Sequence, residues 1–235
     1  MHTRDINTVN FKSGAHTTRE QGMCAMEAAA WLAGEPHSDR PACVCVAITR
    51  FMSAWNDSIL DGDARNRLLR PLIPIVLNTA STSEVASKRA WMMFDWFVRT
   101  FIPAWLKPLP AHVEQASALE TLPPIVDAAS VSADARQLLT AISKIPYGAD
   151  VFLCHTHISI RGATYVLRLL DGRDRSALAR YLDRPEGYED ASVIFPCIVG
   201  SIVGLAPNSQ VRPHPVAVAM QASAAELVKR MCQLK

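Results

Sequence analysis

Residues 89–106, RAWMMFDWFVRTFIPAWL, carry large apolar side chains on almost every side of a helix. A helix that is apolar most of the way round has to be surrounded by other elements of the fold. This segment therefore predicts the centre of a helical bundle. Because Pro103 lacks a backbone donor, we expect the helix to bend in its last two turns.

The same helical spacing of apolar residues recurs along the chain. A capping box formed by Thr17 and Glu20 predicts a first helix that ends at Gly34. Ser38 or Asp39 would cap a second helix, from Pro41 to about Trp55. Further helices are predicted over 61–80 with breaks at Pro71 and Pro74, from Thr82 or Ser83, over 111–122, after Ser132, over 175–182 and over 222–234. Residues 149–170 fit a helix or a strand, and the helical context favours the helix.

These patterns predict an all-α fold, a bundle of about nine or ten helices in two lobes. The 49% hydrophobic and 20% charged residues are typical of a folded chain. Four prolines between Lys107 and Pro124 indicate a connector. We therefore expect an N-terminal lobe over 1–107, a connector over 108–130 and a C-terminal lobe over 131–235.

Charge and hydropathy exclude several classes of protein. The net charge of +2 gives no basic stripe for phosphates, so nucleic acid is not an expected partner. The first fourteen residues lack the apolar core of a signal peptide, and no apolar stretch is long enough to span a bilayer. We expect a cytoplasmic protein without membrane contact. Glycine-rich phosphate loops are also missing from the sequence.

Six chemically capable residues lie close together near the N-terminus: Cys24, Glu27, Glu35, His37, Asp39 and Cys43. Thiolate, imidazole and carboxylate ligands together suit zinc or iron, with Cys24, His37 and Cys43 as the candidate ligands. The spacing matches no established zinc pattern. In the alternative, the carboxylates cap or pair across the turn while the thiols pack in the core. No other cofactor is predicted.

The same residue types also suit thiol chemistry, because a cysteine nucleophile needs a neighbouring histidine and carboxylate. Cys43 lies two residues after the predicted helix start at Pro41, where a helix N-terminus would lower the pKa of a thiol. It is the thiol that we expect to be most activated. The alternative is a small buried side chain without a chemical role.

Two further groups are secondary candidates. Asp95 and Arg99 form either an anion-binding network or an i,i+4 ion pair within the aromatic helix. His155 and His157 would face one side of a strand and chelate a metal ion, but they would diverge on a helix.

The opening pattern CxMExxxxLAGExxSDxPxC, from Cys24 to Cys43, resembles that of a loosely defined group of uncharacterised bacterial and phage proteins. The later RAWxxxDWxVRTxxPAWL segment is similar to the same group. The resemblance covers roughly the first 107 residues and implies a wholly helical fold, without an activity to transfer. Val46 stands where the group has proline, so the second helix has a different start.

Two hypotheses of function follow. The first is a cytosolic helical interaction protein that binds a macromolecular partner or its own copy; a phage or mobile-element origin would fit an inhibitor of a host protein. The second is a metal- or thiol-dependent enzyme that uses the N-terminal cluster. The first predicts a protein partner or a homo-oligomer, and the second predicts bound metal or one unusually reactive cysteine.

Overall fold

The computed structural model describes residues 4–145, 199–200, 203 and 215–235. In this part of the chain 64% of the residues are helical and no strand forms, which confirms the all-α prediction for it. Seven of its helices have eight residues or more, so the expected total of nine or ten stays a prediction for the whole chain. The helices are α1 Ala25–Ala33, α2 Val46–Ser58, α3 Gly62–Leu69, α4 Ile73–Val76, α5 Ser83–Trp96, α6 Ile102–Leu106, α7 Val113–Glu120, α8 Ala133–Ile142 and α9 Pro215–Gln233.

The start predicted for the first helix is wrong. Residues after Thr17 fold into consecutive turns, in which the Gln21 amide donates to the Thr18 carbonyl and the Gly22 amide donates to the Arg19 carbonyl. Gly22 has a φ of 137°, which a helix does not allow. The helix end at Gly34 is confirmed, because this residue adopts the left-handed conformation and donates to two carbonyls of the last turn.

The second helix begins at Val46, five residues after the predicted start at Pro41. The amides of Ala42 and Cys43 bond to the Glu35 carboxylate, and the Cys45 amide bonds to the Thr79 hydroxyl. These amides are satisfied by side chains, so the backbone does not need a helix to satisfy them. The apolar residues that recur at helical spacing through this segment are buried, as the spacing predicts: Val44, Ala47, Ile48, Phe51 and Trp55.

Proline residues interrupt the later helices as predicted. A 3₁₀ turn, Arg70–Leu72, separates α3 from α4, with Pro71 inside the turn and Pro74 in the first turn of α4. A π-helical turn, Phe97–Phe101, separates α5 from α6 and immediately precedes Pro103. The ring of Pro103 would clash with the carbonyl of Arg99 in a regular α-helix, and a π turn widens the backbone there.

The remaining predictions for single helices are mostly confirmed. Ser132 caps α8 through its hydroxyl, which accepts from the Ala135 amide at 3.1 Å. The short helix predicted in the connector is α7. The C-terminal helix α9 begins at Pro215, seven residues before the predicted start at Ala222. Residues 149–170 and 175–182 lie outside the described residues, as do His155 and His157.

The chain divides into two compact units, Met1–Arg89 with Pro196–Lys235, and Ala90–Phe195. This division differs from the lobes expected over 1–107 and 131–235. In the first unit α9 packs against α4 and the Arg70–Leu72 turn, so the C-terminal residues complete the N-terminal core. No helix of the described ranges has both the length and the apolar character needed to cross a bilayer.

Arg89 is buried and bonds α9 to the rest of the first unit. The Arg89 side chain is 2% exposed. Its guanidinium donates to the carbonyls of Met231 at 2.9 Å, Leu234 at 2.6 Å and Thr79 at 2.5 Å. Two of these acceptors lie at the C-terminal end of α9, where the helix dipole favours a positive charge.

In the second unit α6 packs against α7, and α7 packs against α8. Phe97 and Phe101 stack with ring centroids 5.3 Å apart, and Trp105 lies 6.2 Å from Phe101. These rings are fully buried. The aromatic segment therefore forms the core of this unit, as its sequence predicts.

Candidate functional site

The N-terminal cluster is built around a capping box at the start of α1. The Cys24 amide donates to the Glu27 carboxylate at 2.7 Å, and the Glu27 amide donates to the Cys24 sulfur at 3.4 Å. Glu27 is 1% exposed. A carboxylate at this position satisfies an amide that has no partner within the helix, and it complements the positive end of the helix dipole. One of its roles is therefore structural, as the alternative interpretation predicted.

Two imidazoles from outside α1 meet the same carboxylate. The His16 backbone amide donates to Glu27 at 2.5 Å, and His16 Nδ1 lies 2.9 Å from the other carboxylate oxygen. His37 Nε2 lies 3.7 Å from Glu27 and 2.9 Å from the His16 carbonyl oxygen. The side chains of His16 and His37 are 13% and 15% exposed. We call Glu27, His16 and His37 the Glu27 cluster.

The partners assign the hydrogen positions on both rings. An ionised carboxylate only accepts, so His16 Nδ1 carries a proton. The His16 carbonyl also only accepts, so His37 Nε2 carries a proton. In their neutral forms the remaining nitrogens, His16 Nε2 and His37 Nδ1, hold lone pairs. His37 Nδ1 is buried without a hydrogen-bond partner among the described residues.

Glu27 stays ionised in spite of its burial. Burial by itself raises the pKa of a carboxyl group, because it penalises the charged form. Hydrogen bonds from the amides of His16 and Cys24 and from the His16 ring act in the opposite direction. Together they hold the pKa of Glu27 below its ordinary value.

Glu35 occupies a separate position across the turn. Its two carboxylate oxygens accept from the amides of Ala42 at 2.7 Å and Cys43 at 2.8 Å. Asp39 is half-buried in the same turn. The structure therefore divides five of the six candidate residues into two groups: Glu27 and His37 meet with Cys24 at the start of α1, while Glu35 and Cys43 meet at the far end of the turn.

Cys43 is not an activated thiol. Burial raises the pKa of its thiol, and the hydrogen bond to the Glu35 side chain raises it further. The predicted activation required a helix that starts at Pro41, whereas α2 starts at Val46. Burial also raises the pKa of Cys24 to about 12. Both side chains are free thiols that stay neutral near pH 7.

The expected metal ligands do not come together. Within residues 4–145 and the described C-terminal positions, no group of three or more His, Cys, Asp or Glu side chains is arranged to hold a metal ion. His37 approaches Glu27 and His16 instead of Cys43. The zinc or iron site with Cys24, His37 and Cys43 has no support in the structure.

The secondary candidates Asp95 and Arg99 form the i,i+4 ion pair, with 3.1 Å between Arg99 Nη1 and Asp95 Oδ1. The same Asp95 oxygen accepts from the Ile125 amide at 2.8 Å. Asp95 therefore joins the aromatic helix to the segment that precedes α8, which is a structural role.

Sequence reasoning missed His16 as a member of the cluster. It lies eleven residues before Glu27, ahead of both the predicted capping box at Thr17 and α1 itself. The only signal was the pattern Cys24-x-x-Glu27, which fits a capping box with cysteine in the place of serine.

Comparison of the chain with protein-family models, with curated proteins and with solved structures found no match.

Proposed function

We propose that this protein is a helical interaction protein that binds a macromolecular partner or a second copy of itself. The observation that supports this proposal is a group of exposed side chains beside the N-terminal turn. We call Ala42, Val46, Pro74 and Ile75 the turn face; all four are exposed, with Val46 at 42% and Ile75 at 38%.

Two contacts hold residues 42–46 beside the segment that directly follows Pro74 and Ile75. The Ala80 amide donates to the Cys43 carbonyl at 3.0 Å, and the Cys45 amide donates to the Thr79 hydroxyl at 3.1 Å. Residues 42–46 therefore run beside residues 76–80. Protein interfaces commonly contain apolar side chains that are exposed in the free protein and lie on neighbouring, well-fixed segments.

The chemistry of the turn supports binding over thiol catalysis. The Glu27 and Glu35 carboxylates accept from backbone amides, which fixes the shape of the turn. Raised pKa values keep Cys24 and Cys43 neutral, so neither is suited to act as a nucleophile near pH 7. A fixed turn with exposed apolar neighbours presents the same surface to every partner, and this lowers the entropic cost of binding.

The first test is the mass of the full chain in solution, measured by sedimentation from low to high micromolar concentration. Self-association predicts a dimer that dissociates in Val46→Glu and Ile75→Glu. Leu60→Glu is the matched control, because Leu60 is 75% exposed in the connection between α2 and α3. Equal loss of the dimer in all three variants would contradict the role of the turn face.

If sedimentation finds a monomer, the second test applies. A photo-crosslinking amino acid is placed at position 46, 75 or 60 of the chain in cells. Binding through the turn face predicts one crosslinked partner shared by positions 46 and 75 and missing at position 60. The same products at all three positions would reject the proposed surface.

The rival enzyme hypothesis has its own test. Elemental analysis of the chain, purified without a histidine tag, is compared with that of a Cys24→Ala, Cys43→Ala double variant. Near-stoichiometric metal that disappears in the variant would favour the enzyme over the interaction protein.

A further inference from the structure

Glu27 accepts two of the hydrogen bonds that hold residues 15–22 against the rest of the first unit, and both come from His16. Within this segment His16 supplies two donors to the carboxylate, and its carbonyl accepts from His37. The later residues of the segment have contacts of their own, from Arg19 Nη2 to the Glu35 carbonyl at 3.3 Å and from Lys12 Nζ to the Gln21 carbonyl at 2.7 Å. The preceding residues are fixed independently, since the Phe11 amide donates to Asn66 and the Gly14 amide donates to Asp57.

We propose that the Glu27 cluster is an acid-operated latch: protonation of the Glu27 carboxyl group releases His16 and the residues next to it while α1 stays folded. Each carboxylate oxygen faces donors. One accepts from the His16 amide and lies near His37 Nε2, and the other accepts from the Cys24 amide and from His16 Nδ1. A proton on either oxygen turns an acceptor into a donor that faces other donors, so several contacts weaken in one step.

The titratable groups around Glu27 determine which protonation event opens the latch as the pH falls. The neighbour on its own helix is the Cys24 thiol, which is neutral because its pKa is raised to about 12. The imidazoles of His16 and His37 face it from the loop and the turn, and the electrostatic surroundings of Glu20 include Arg19 and His37. A proton gained by either imidazole adds a positive charge beside the carboxylate. The latch therefore opens through Glu27 and not through the histidines.

The pH range follows from the lowered pKa of Glu27. A carboxyl group whose pKa is lower in the folded chain than in the unfolded chain stabilises the fold above its ordinary pKa, which is about 4.3. This stabilisation is lost as the pH falls through the folded pKa. The latch stays closed at neutral pH and opens below the ordinary range of a carboxyl group.

Hydrogen exchange tests the latch directly, because two of its donors are backbone amides. Exchange at the His16 and Cys24 amides is measured on the full chain from pH 7 to pH 3 and corrected for the intrinsic rate. The reference is the Ala28 amide, which donates within α1 to the Cys24 carbonyl at 3.0 Å. We expect protection of His16 and Cys24 to fall together by about tenfold or more, the factor set by one charge-assisted hydrogen bond, while Ala28 keeps its protection.

Glu27→Gln should open the latch at pH 7, since it removes the charge and replaces an acceptor oxygen with a donor. Glu35→Gln is the matched control, because Glu35 also accepts from two backbone amides but makes its side-chain contacts with residues 42 and 43. We expect the control to keep His16 protected. Should Glu27→Gln fail to fold, the acid titration of the unmodified chain decides.

Two results would overturn the latch. One is unchanged protection of His16 in folded Glu27→Gln at pH 7. The other is loss of protection at Ala28 in parallel with His16 during the acid titration, which would mean that α1 unfolds with the loop.

Discussion

The Cys24 amide lies 2.7 Å from the Glu27 carboxylate, and the Glu27 amide lies 3.4 Å from the Cys24 sulfur. Cysteine therefore stands at an N-cap position where serine, threonine, aspartate or asparagine is usual. Sulfur is a weak acceptor, so the carboxylate supplies the stronger half of this reciprocal pair.

Cys24→Ser should keep the capping box, because the hydroxyl oxygen accepts from the same amide. Cys24→Ala should lower the free energy of unfolding by about 1 kcal/mol, the usual cost of losing an N-cap side chain. Urea denaturation of the two variants gives the comparison. Equal stability of Cys24→Ala and the unmodified chain would show that the sulfur contributes nothing as a cap.

The raised thiol pKa values predict slow alkylation. Burial raises the pKa of Cys24 to about 12 and that of Cys232 to about 11. At pH 7.4 iodoacetamide should modify both sites far more slowly than an unfolded cysteine does, with rates that rise with pH. Peptide mapping after timed alkylation measures each site. Rapid labelling of Cys24 in the folded chain would contradict its assignment as a neutral thiol.

The raised thiol pKa values also predict a lower free energy of unfolding at alkaline pH. Above the ordinary thiol pKa of about 8.5 the unfolded chain loses thiol protons that the folded chain retains. The free energy of unfolding should therefore fall as the pH rises from 8 to 10. Denaturation of a Cys24→Ser variant over the same range isolates the contribution of this residue, and its curve should be flatter.

Arg89→Met should destabilise the first unit by about 3 kcal/mol. It removes the guanidinium that donates to the carbonyls of Thr79, Met231 and Leu234, and of these three only Met231 keeps a second donor among the described residues, the Leu234 amide at 3.3 Å. Lys88→Met is the matched control, because Lys88 is exposed and pairs with exposed Glu84 along the helix. This control should change stability by less than about 0.5 kcal/mol. Thermal unfolding measures both variants, and equal melting temperatures would contradict the role of Arg89.

Gly200→Ala should destabilise the fold because of a close backbone contact. A Cβ atom at this position would lie 2.3 Å from the Phe51 carbonyl oxygen, and the backbone of α2 cannot yield as a flexible side chain does. Gly62→Ala is the control, because nothing lies within 4 Å of its Cβ position. We expect the control to be neutral or to stabilise by about 0.5 kcal/mol. Differential scanning calorimetry of the pair tests the contact.

Apolar periodicity predicted the helices well, but it did not predict where they begin. The stripe from Val44 to Trp55 is buried as expected, because side-chain spacing determines which face of a helix meets the core. The start of α2 depends on contacts with Glu35 and Thr79, which are brought close only by the fold. The helix starts that Thr17 and Asp39 predict as N-caps are therefore not the ones that the fold adopts.

The candidate site, too, was only partly predictable from the sequence. Glu27 and His37 were visible as chemically capable residues, and their proximity was a reasonable expectation from a short turn. His16 joins them through a loop whose path is set by Gly22 and by contacts of residues 11–14 with α2 and α3. No spacing in the sequence encodes that path.

The bonds from Arg89 to Met231 and Leu234 join residues 142 and 145 positions apart in the chain. During synthesis the first 89 residues leave the ribosome long before the carbonyls that will cover this guanidinium exist. Contacts over such distances are slow to form, and the incomplete unit exposes apolar surface in the meantime. Nascent chains that end before Met231 should therefore depend on chaperones more than chains that include Leu234.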